Sequence, residues 1–267
     1  MSFLLNLDSS FSPTGQDISR TDDFEIKFND ALNMPGNWTV ALIKCNLWYS
    51  WYNISVEKGN NTFRYYNGSI YQPDITITNG QYTIYQLNDF LHSILKANND
   101  YTLNGSTEIY DINILPNYAT GKVKIEITNN YRLDLQLSDL YLLLGFEQIE
   151  VTFTQEGANL ANLNDNINSL LIHCDVVDST SSYNNNVASD ILYSFVPDSI
   201  PGTNINIEPN TNIYLPVRLI GNKLKRIRLY LLDNLNRRVN LNGEPFSALL
   251  HFKLEKDLYN DEQKQIK

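Results

Sequence analysis

Residues 225–254 read KRIRLYLLDNLNRRVNLNGEPFSALLHFKL, and this stretch decides the fold. Apolar and polar side chains alternate along 225–232 and again along 247–254, which is the period of a β-strand with one buried face. The residues between these runs are rich in turn formers. The stretch therefore predicts a pair of antiparallel strands. On their buried face we expect the core residues Ile227, Leu229, Leu231, Leu250 and Phe252.

Strand-like runs separated by turn signals continue this pattern towards the N-terminus. Residues 38–51 read WTVALIKCNLWYSW, and this β-branched and aromatic run predicts a central strand with Trp38 and Leu42 in the core. Further strands are predicted at 24–28, 170–177, 191–196 and 214–219, with polar loops at 179–186 and 197–212. About seven or eight short strands with long polar loops predict an antiparallel jelly roll, which is a β-sandwich.

The middle of the chain has a different character. Apolar residues recur at helical spacing between 83 and 98, and Thr83 with Gln86 has the form of a capping box, so one clear helix is expected. The fold class is therefore all-β dominated: a single antiparallel jelly roll with a small α+β insertion. We place the jelly roll at 1–65 and 154–255, the insertion at 66–153 and a charged tail at 256–267.

Composition excludes several classes of protein. The chain has 267 residues, 42% of them hydrophobic, which is enough for a large core and argues against disorder. Its net charge of −10 makes it a poor candidate for non-specific nucleic-acid binding. We expect no secretory signal and no membrane span, because no apolar run approaches about 18 residues.

Chemical motifs are scarce. The three histidines, His92, His173 and His251, have no zinc-site spacing, and both cysteines lie in apolar runs that predict buried free thiols. His173 and Cys174 are neighbours on a predicted strand, so they point to opposite faces and cannot act together. The acidic pairs at 22–23 and at 175 and 178 have no EF-hand spacing and indicate solvated loops rather than calcium sites. We therefore expect no enzyme, metal or cofactor site, although a glycosidase pair of carboxylates stays open.

One region departs from the acidic balance of the chain. Between 218 and 238, seven basic residues face only Asp233 as a counter-charge. One reading is a solvated strand face balanced by acidic loops. The other is a contact surface for a neighbouring subunit or, without further support, for a genome. The candidate subunit-interface residues are Arg218, Arg226, Arg228, Arg237 and Arg238. A second cluster, at 48–52, contains Trp48, Tyr49, Trp51 and Tyr52, which fit the core or a subunit interface.

Three stretches, in this order, resemble the penton (minor capsid) proteins of polinton/maverick elements, adintoviruses and virophages. Gly36-Asn37-Trp38-Thr39-Val40-Ala41-Leu42 is similar to the family's Gly-x-Trp-x-Val-Ala-Leu strand. Gly80-Gln81-Tyr82, the helix and Leu144-Gly145-Phe146 resemble its Gly-x-Tyr, helix, Leu-Gly-Phe element. The third stretch is 170–177 with 225–254, in which 233–236 and 240–245 are similar to the family's Asp-x-x-Gly-x-x-Val-x-x-Asn-Gly-Glu ending and are followed by Leu250-His251-Phe252. Asn236 replaces the expected Gly, and Asn also tolerates a left-handed turn.

The resemblance implies a structural viral capsid protein in the virion, assembled inside the host cell. It implies a jelly-roll penton capsomer that forms homopentamers at the fivefold vertices of an icosahedral capsid, beside a double jelly-roll major capsid protein. Two other classes stay open. A carbohydrate-binding sandwich predicts exposed Trp or Tyr on a sheet face, and a hydrolase predicts two or three convergent carboxylates in a cleft.

Overall fold

The computed structural model describes residues 1–11, 21–164, 167–184 and 186–255. The predicted charged tail at 256–267 lies outside these residues. The described residues form two compact units, one within 1–51 and 167–255 and the other within 52–166. The second unit thus begins before and ends after the insertion predicted at 66–153. The reason is that Ile54 and Phe63 belong to the core of the second unit.

The strands and helices follow one another along the chain as follows. The first unit begins with β1 (Ser2–Asp8), β2 (Asp23–Asn33) and β3 (Trp38–Trp48). The second unit contains β4 (Thr62–Tyr66), β5 (Ile75–Thr76), α1 (Ile84–Ala97), β6 (Thr102–Asn104), β7 (Thr107–Ile109), β8 (Ile112–Asn117), β9 (Lys122–Ile127), β10 (Arg132–Asp134), α2 (Leu140–Leu144), β11 (Glu150–Val151) and β12 (Gln155–Glu156). The first unit then continues with β13 (Leu170–Cys174), β14 (Ser182–Asn184), β15 (Val187–Ser189), β16 (Ile191–Phe195), β17 (Asn204–Ile207), β18 (Leu215–Pro216), β19 (Lys223–Asp233) and β20 (Ser247–Leu254).

Two large antiparallel sheets and the two-stranded β14-β15 sheet lie in the first unit. One large sheet has the order β1-β20-β3-β17, with β18 also paired to β3, and the other has the order β16-β13-β19-β2. The eight long strands of this unit, counted along the chain, therefore lie in the orders 1-8-3-6 and 5-4-7-2. Two facing four-stranded sheets with these strand orders have the jelly-roll topology. The predicted fold class is confirmed.

One core fills the space between these sheets. It takes residues from β3 and β20 on one side and from β13 and β19 on the other. Side chains from two inner faces that meet in one core are the mark of a β-sandwich. All seven residues assigned to the core from the sequence are buried there: Trp38, Leu42, Ile227, Leu229, Leu231, Leu250 and Phe252.

The predicted pairing within 225–254 is wrong. β19 pairs with β13 and β2, whereas β20 pairs with β1 and β3, so the two strands lie in opposite sheets. The residues between them do not form a hairpin, because Val239, Leu241 and Phe246 are buried in the core as the chain crosses over. Alternation of apolar and polar residues indicates that a strand has one buried face, but it does not indicate which strand pairs with it.

The loop predicted at 197–212 also contains a strand that the sequence reasoning missed. Asn204–Ile207 forms β17, which pairs with β3 in the register Asn204 to Trp48. Only Ile205 and Ile207 supply its apolar face. Two apolar residues flanked by proline, glycine and asparagine are too short a pattern to stand out against a loop.

The second unit has its own core beneath α1. Thr83 and Gln86 form the expected capping box: Thr83 Oγ1 accepts the Gln86 amide at 3.3 Å, and Gln86 Oε1 accepts the Thr83 amide at 2.9 Å. The apolar face of α1 packs against β8, with small antiparallel sheets completing the unit. Neither α1 nor α2 is long and apolar enough to cross a membrane, and the described residues contain no other α-helix.

Candidate functional site

Four of the five candidate interface arginines are ion-paired within the chain. The Arg228 guanidinium donates two hydrogen bonds of 2.6 Å, from Nε and Nη2, to the Asp23 carboxylate. Arg238 Nη2 approaches the same carboxylate at 2.5 Å, and Arg226 pairs with Glu25. These contacts form because β19 pairs with β2, which brings Asp23 and Glu25 beside the arginines.

Arg237 has a local role in the turn after β19. Its Nε donates to Asp233 Oδ2 at 2.7 Å, while Asp233 Oδ1 accepts the backbone amides of Leu235 and Arg237 at 2.8 Å. Asn236 in this turn has a φ of +61°, so it adopts the left-handed conformation expected from the resemblance. Arg218 is the exception among the five, because it makes no ion pair with any residue that the structure describes.

The arginines change the acidity of Asp23. Burial alone would raise the pKa of this carboxyl group, but hydrogen bonds and charge attraction from Arg228 and Arg238 outweigh burial and lower the pKa below its usual value. The hydrogen bond to Asp23 in turn raises the pKa of the Arg228 guanidinium. Both shifts favour the charged forms of Asp23 and Arg228. The acidic residues on β2 are the counter-charges that the sequence reasoning missed, because they lie about 200 positions away along the chain.

The aromatic cluster at 48–52 is divided between core and surface. Tyr49 and Trp51 are buried and stack with ring centroids 4.0 Å apart. Trp48, at the end of β3, is 37% exposed. Trp48 therefore lies at the surface, whereas Tyr49 and Trp51 are packed in the core.

A polar cavity of about 500 Å³ lies on the outer face of the β16-β13-β19-β2 sheet. Its floor contains His173 from β13 and Tyr230 from β19, which are directly paired in register, and Asp190, which immediately precedes β16. The β14–β15 hairpin contributes the opposite wall, and Asp175 and Arg218 also line the space. The volume falls in the range of small-ligand pockets, although apolar side chains do not dominate its lining.

The floor of the cavity is organised around the Asp190 carboxylate. His173 Nδ1 lies 2.7 Å from Asp190 Oδ1, and the Tyr230 hydroxyl donates to both carboxylate oxygens at 2.8 and 3.0 Å. The His173 and Tyr230 rings stack with centroids 4.7 Å apart. His173 is only 3% exposed, and its Nε2 has no hydrogen-bond partner among the described residues.

Burial and hydrogen bonding move the two cavity carboxyl groups in opposite directions. For Asp190, burial acts to raise the pKa, but the hydrogen bonds from His173 and Tyr230 prevail and lower it. For Asp175, burial prevails and raises the pKa, although the carboxylate accepts the Arg228 amide at 2.8 Å. Asp190 is therefore a stable anion, whereas the charged form of Asp175 is disfavoured by its surroundings.

The cysteines do not take part in this cavity. Cys45 and Cys174 are free and fully buried, and burial raises the pKa of both thiols. Cys174 points into the core, on the opposite side of β13 from His173, as strand geometry requires. Within residues 1–11, 21–164, 167–184 and 186–255 there is no group of three or more His, Cys, Asp or Glu side chains that could hold a metal ion.

Exposed aromatics also occur in the second unit. Tyr85 on α1 and Tyr118 after β8 are 51% and 79% exposed, and their hydroxyl oxygens lie 3.2 Å apart. Tyr71 is 44% exposed, with the Arg64 guanidinium 4.9 Å from its ring centroid. Exposed Tyr side chains of this kind are what the carbohydrate-binding hypothesis predicts.

Comparison with known proteins gives a likeness in structure but none in sequence. The chain matches no protein-family model and no curated protein sequence. Its structure is similar to the crystal structure of the selenomethionine-labelled mavirus penton protein, with a TM-score of 0.47 and 12% sequence identity. The similarity covers 95% of this chain and 99% of that protein.

Proposed function

We propose that the chain is a structural capsid protein, a penton capsomer that forms homopentamers at the fivefold vertices of an icosahedral shell. The jelly-roll topology, with a second unit inserted between the third and fourth long strands, carries this proposal. Jelly rolls serve as viral capsid, lectin and cupin domains, so topology alone leaves these classes open. The ordered penton-like motifs favour the capsid class: the first occupies β3, the second the inserted unit, and the third β13, β19 and the turn residues between β19 and β20.

Assembly is the direct test of this proposal. The mass of the purified full chain, measured by native mass spectrometry, is expected to be that of five copies, either alone or with a double jelly-roll major capsid protein. A closed ring of five identical subunits buries two different patches per subunit, so intermediate oligomers should be rare. A chain that stays monomeric under both conditions would refute the proposal.

Arg226 is the most exposed of the four ion-paired arginines, so its side chain can reach a neighbouring subunit. Its side chain is 61% exposed, so its pair with Glu25 is solvated and contributes little to folding. Arg226→Glu should therefore weaken pentamer formation while leaving the thermal unfolding midpoint nearly unchanged. Lys44→Glu, an exposed charge reversal on β3 in the other sheet, is the matched control. Normal assembly of Arg226→Glu would remove this face from the interface.

A carbohydrate-binding module is the second candidate, and the exposed tyrosines favour it. Tyr85 and Tyr118 together offer an aromatic surface with paired hydroxyl groups. Binding of the isolated chain to a glycan array, lost in Tyr85→Ala with Tyr118→Ala, would support this function. Absence of glycan binding together with pentamer formation would exclude it in favour of the capsid role.

A further inference from the structure

We propose that the free edge of β1 is an interaction surface for a second copy of this chain, with the two β1 strands paired antiparallel across a twofold axis. β1 is an end strand of the β1-β20-β3-β17 sheet, and β20 is its only strand partner among the described residues. A twofold contact uses the same patch on both copies, unlike the head-to-tail contacts of the proposed ring. The inference therefore goes beyond the capsid proposal and does not require ring formation.

The backbone of β1 presents a row of hydrogen-bonding groups on its free side. The Leu254 amide donates to the Met1 carbonyl at 3.0 Å, and the Ser9 amide donates to the Phe246 carbonyl at 2.9 Å. Because hydrogen-bonded pairs alternate along an antiparallel ladder, the odd-numbered residues of β1 bond to β20. The even-numbered residues therefore direct their N–H and C=O groups to the free side: Ser2, Leu4, Asn6 and Asp8.

β1 lacks the features that protect the other edges of the two large sheets. Natural proteins block open edges with charged residues, prolines, bulges or short strands. β2 carries four charged residues and has an interrupted register with β19, and the five-residue β16 has an interrupted register with β13. β17 has only four residues. β1 has seven residues in one continuous register with β20, contains no proline, and has one charged residue, Asp8, at its end.

The register of the proposed contact follows from the outward backbone groups. Two antiparallel β1 strands use all of these groups when Ser2 lies opposite Asp8 and Leu4 lies opposite Asn6 of the second copy. Lys253 is exposed and is the cross-strand neighbour of Ser2 on β20, so it lies in one row with Asp8 of the second copy. The twofold axis repeats this arrangement, and each copy places a positive side chain near a negative one.

The same register matches apolar side chains on the inner face of the sheet. Leu5 lies opposite Leu5 of the second copy, and Phe3 lies opposite Leu7. Phe3 and Leu5 pack against the core of the first unit but are only partly buried, whereas Leu7 is 1% exposed. A second β1 strand would cover the apolar surface that remains open at this edge.

Cross-linking of the full chain tests the contact. Leu5 lies on the twofold axis, where the Cα atoms of a non-hydrogen-bonded pair are about 4.5 Å apart, a distance that a disulfide can span. Leu5→Cys should therefore give a covalent dimer under mild oxidation, seen on a denaturing gel without reductant. Phe3→Cys is the matched control and should give none, because the residue opposite it is Leu7. Cys45 and Cys174 are buried, so they do not compete in this reaction.

A proline variant tests whether backbone pairing holds the two copies together. The Leu4 amide points away from β20, so Leu4→Pro loses no hydrogen bond within the sheet but obstructs an incoming strand. In the Leu5→Cys background, Leu4→Pro should reduce the yield of covalent dimer about 10-fold or more. Leu4→Ser keeps the amide and is the control, so its yield should equal that of Leu5→Cys alone.

The contact is overturned if Leu5→Cys gives no covalent dimer, if Phe3→Cys gives as much, or if Leu4→Pro leaves the yield unchanged. Unfolding midpoints establish that each variant is folded. If Leu5→Cys fails to fold, an equimolar mixture of Leu4→Cys and Asn6→Cys, two exposed positions that lie opposite each other, should give a dimer that neither gives alone. Absence of that dimer overturns the contact equally. The gel reports on the β1 edge and native mass reports on the ring, so the two proposals can fail separately.

Discussion

Asp23 binds two arginines that the sequence presents as unbalanced positive charge. Asp23→Asn should lower the free energy of unfolding by about 1–2 kcal/mol, because hydrogen bonds to charged groups are strong but these guanidinium groups are 37–40% exposed and partly screened by solvent. Urea unfolding at neutral pH measures this loss. Glu25→Gln is the matched control and should lose less than about 0.5 kcal/mol, since the Arg226 side chain that pairs with Glu25 is 61% exposed.

The same network makes stability depend on acidity. The folded-state pKa of Asp23 is lowered, so its contribution is complete above the unfolded-state pKa, near 3.9, and is lost as the pH falls through the folded-state value. The difference in free energy of unfolding between the wild type and Asp23→Asn should therefore be constant from pH 7 to about pH 5. It should shrink towards zero below about pH 4. A difference that persists unchanged at pH 2.5 would contradict the ion-pair explanation.

The ionised Asp175 carboxylate has the opposite effect on stability. Burial raises its folded-state pKa, so the charged carboxylate reduces stability at neutral pH, and this cost disappears as the pH falls below the unfolded-state pKa. Asp175→Asn should be more stable than the wild type at pH 7 by less than about 1 kcal/mol, because solvent partly screens the half-buried carboxylate, and its unfolding midpoint should rise by no more than about 2–4 °C. The amide oxygen still accepts the Arg228 amide. Equal midpoints at pH 7 would refute the buried-charge cost.

The end of α2 requires a glycine at position 145, because a side chain there would clash with neighbouring backbone atoms. Its φ is +75°, and a Cβ atom at this position would lie 2.4 Å from the Asn159 oxygen and 2.7 Å from the Leu160 oxygen. Gly145→Ala should therefore cost more than the about 1–2 kcal/mol of a left-handed conformation alone. Gly105→Ala is the control, because its φ is also positive, at +64°, and nothing lies within 4 Å of the added atom. Equal losses on thermal unfolding would contradict the steric argument.

Elements were predictable from the sequence where their pattern is local. The helix at 84–97 follows from apolar spacing and from a capping box that needs only Thr83 and Gln86. The buried faces of β19 and β20 follow from alternation in the same way. Which strands are neighbours does not follow, because pairing joins residues far apart along the chain: Leu229 lies opposite both Cys174 and Phe24.

The candidate site was less predictable for the same reason. Arg226 and Arg228 stand out in the sequence as a basic run, but their partners are on β2, and no local signal links the two segments. The cavity depends on three segments that meet only in the fold, with His173, Asp190 and Tyr230 on different strands or at their ends. Alternation places His173 on the outer face of its strand, and that was the only part of this cluster visible from the sequence.

At the scale of the whole molecule, the two units have separate cores. Among the described residues, the core of the first unit takes its members from 1–51 and 167–255, and the core of the second takes its members from 52–166. A unit that buries its own apolar residues meets the main requirement for folding alone. The inserted unit is therefore an addition to a complete jelly roll.

Because the cores are separate, we expect each unit to fold without the other. A chain in which residues 52–166 are replaced by a flexible Gly-Ser linker should fold and keep a cooperative unfolding transition, because every strand of the 1-8-3-6 and 5-4-7-2 sheets remains. Residues 52–166 alone should also fold, with α1 helicity visible by circular dichroism. If both fold, native mass spectrometry of the linker variant tests whether the jelly roll alone is sufficient to form pentamers. Failure of the jelly-roll fragment to fold, with the full chain stable, would show that its core depends on the inserted unit.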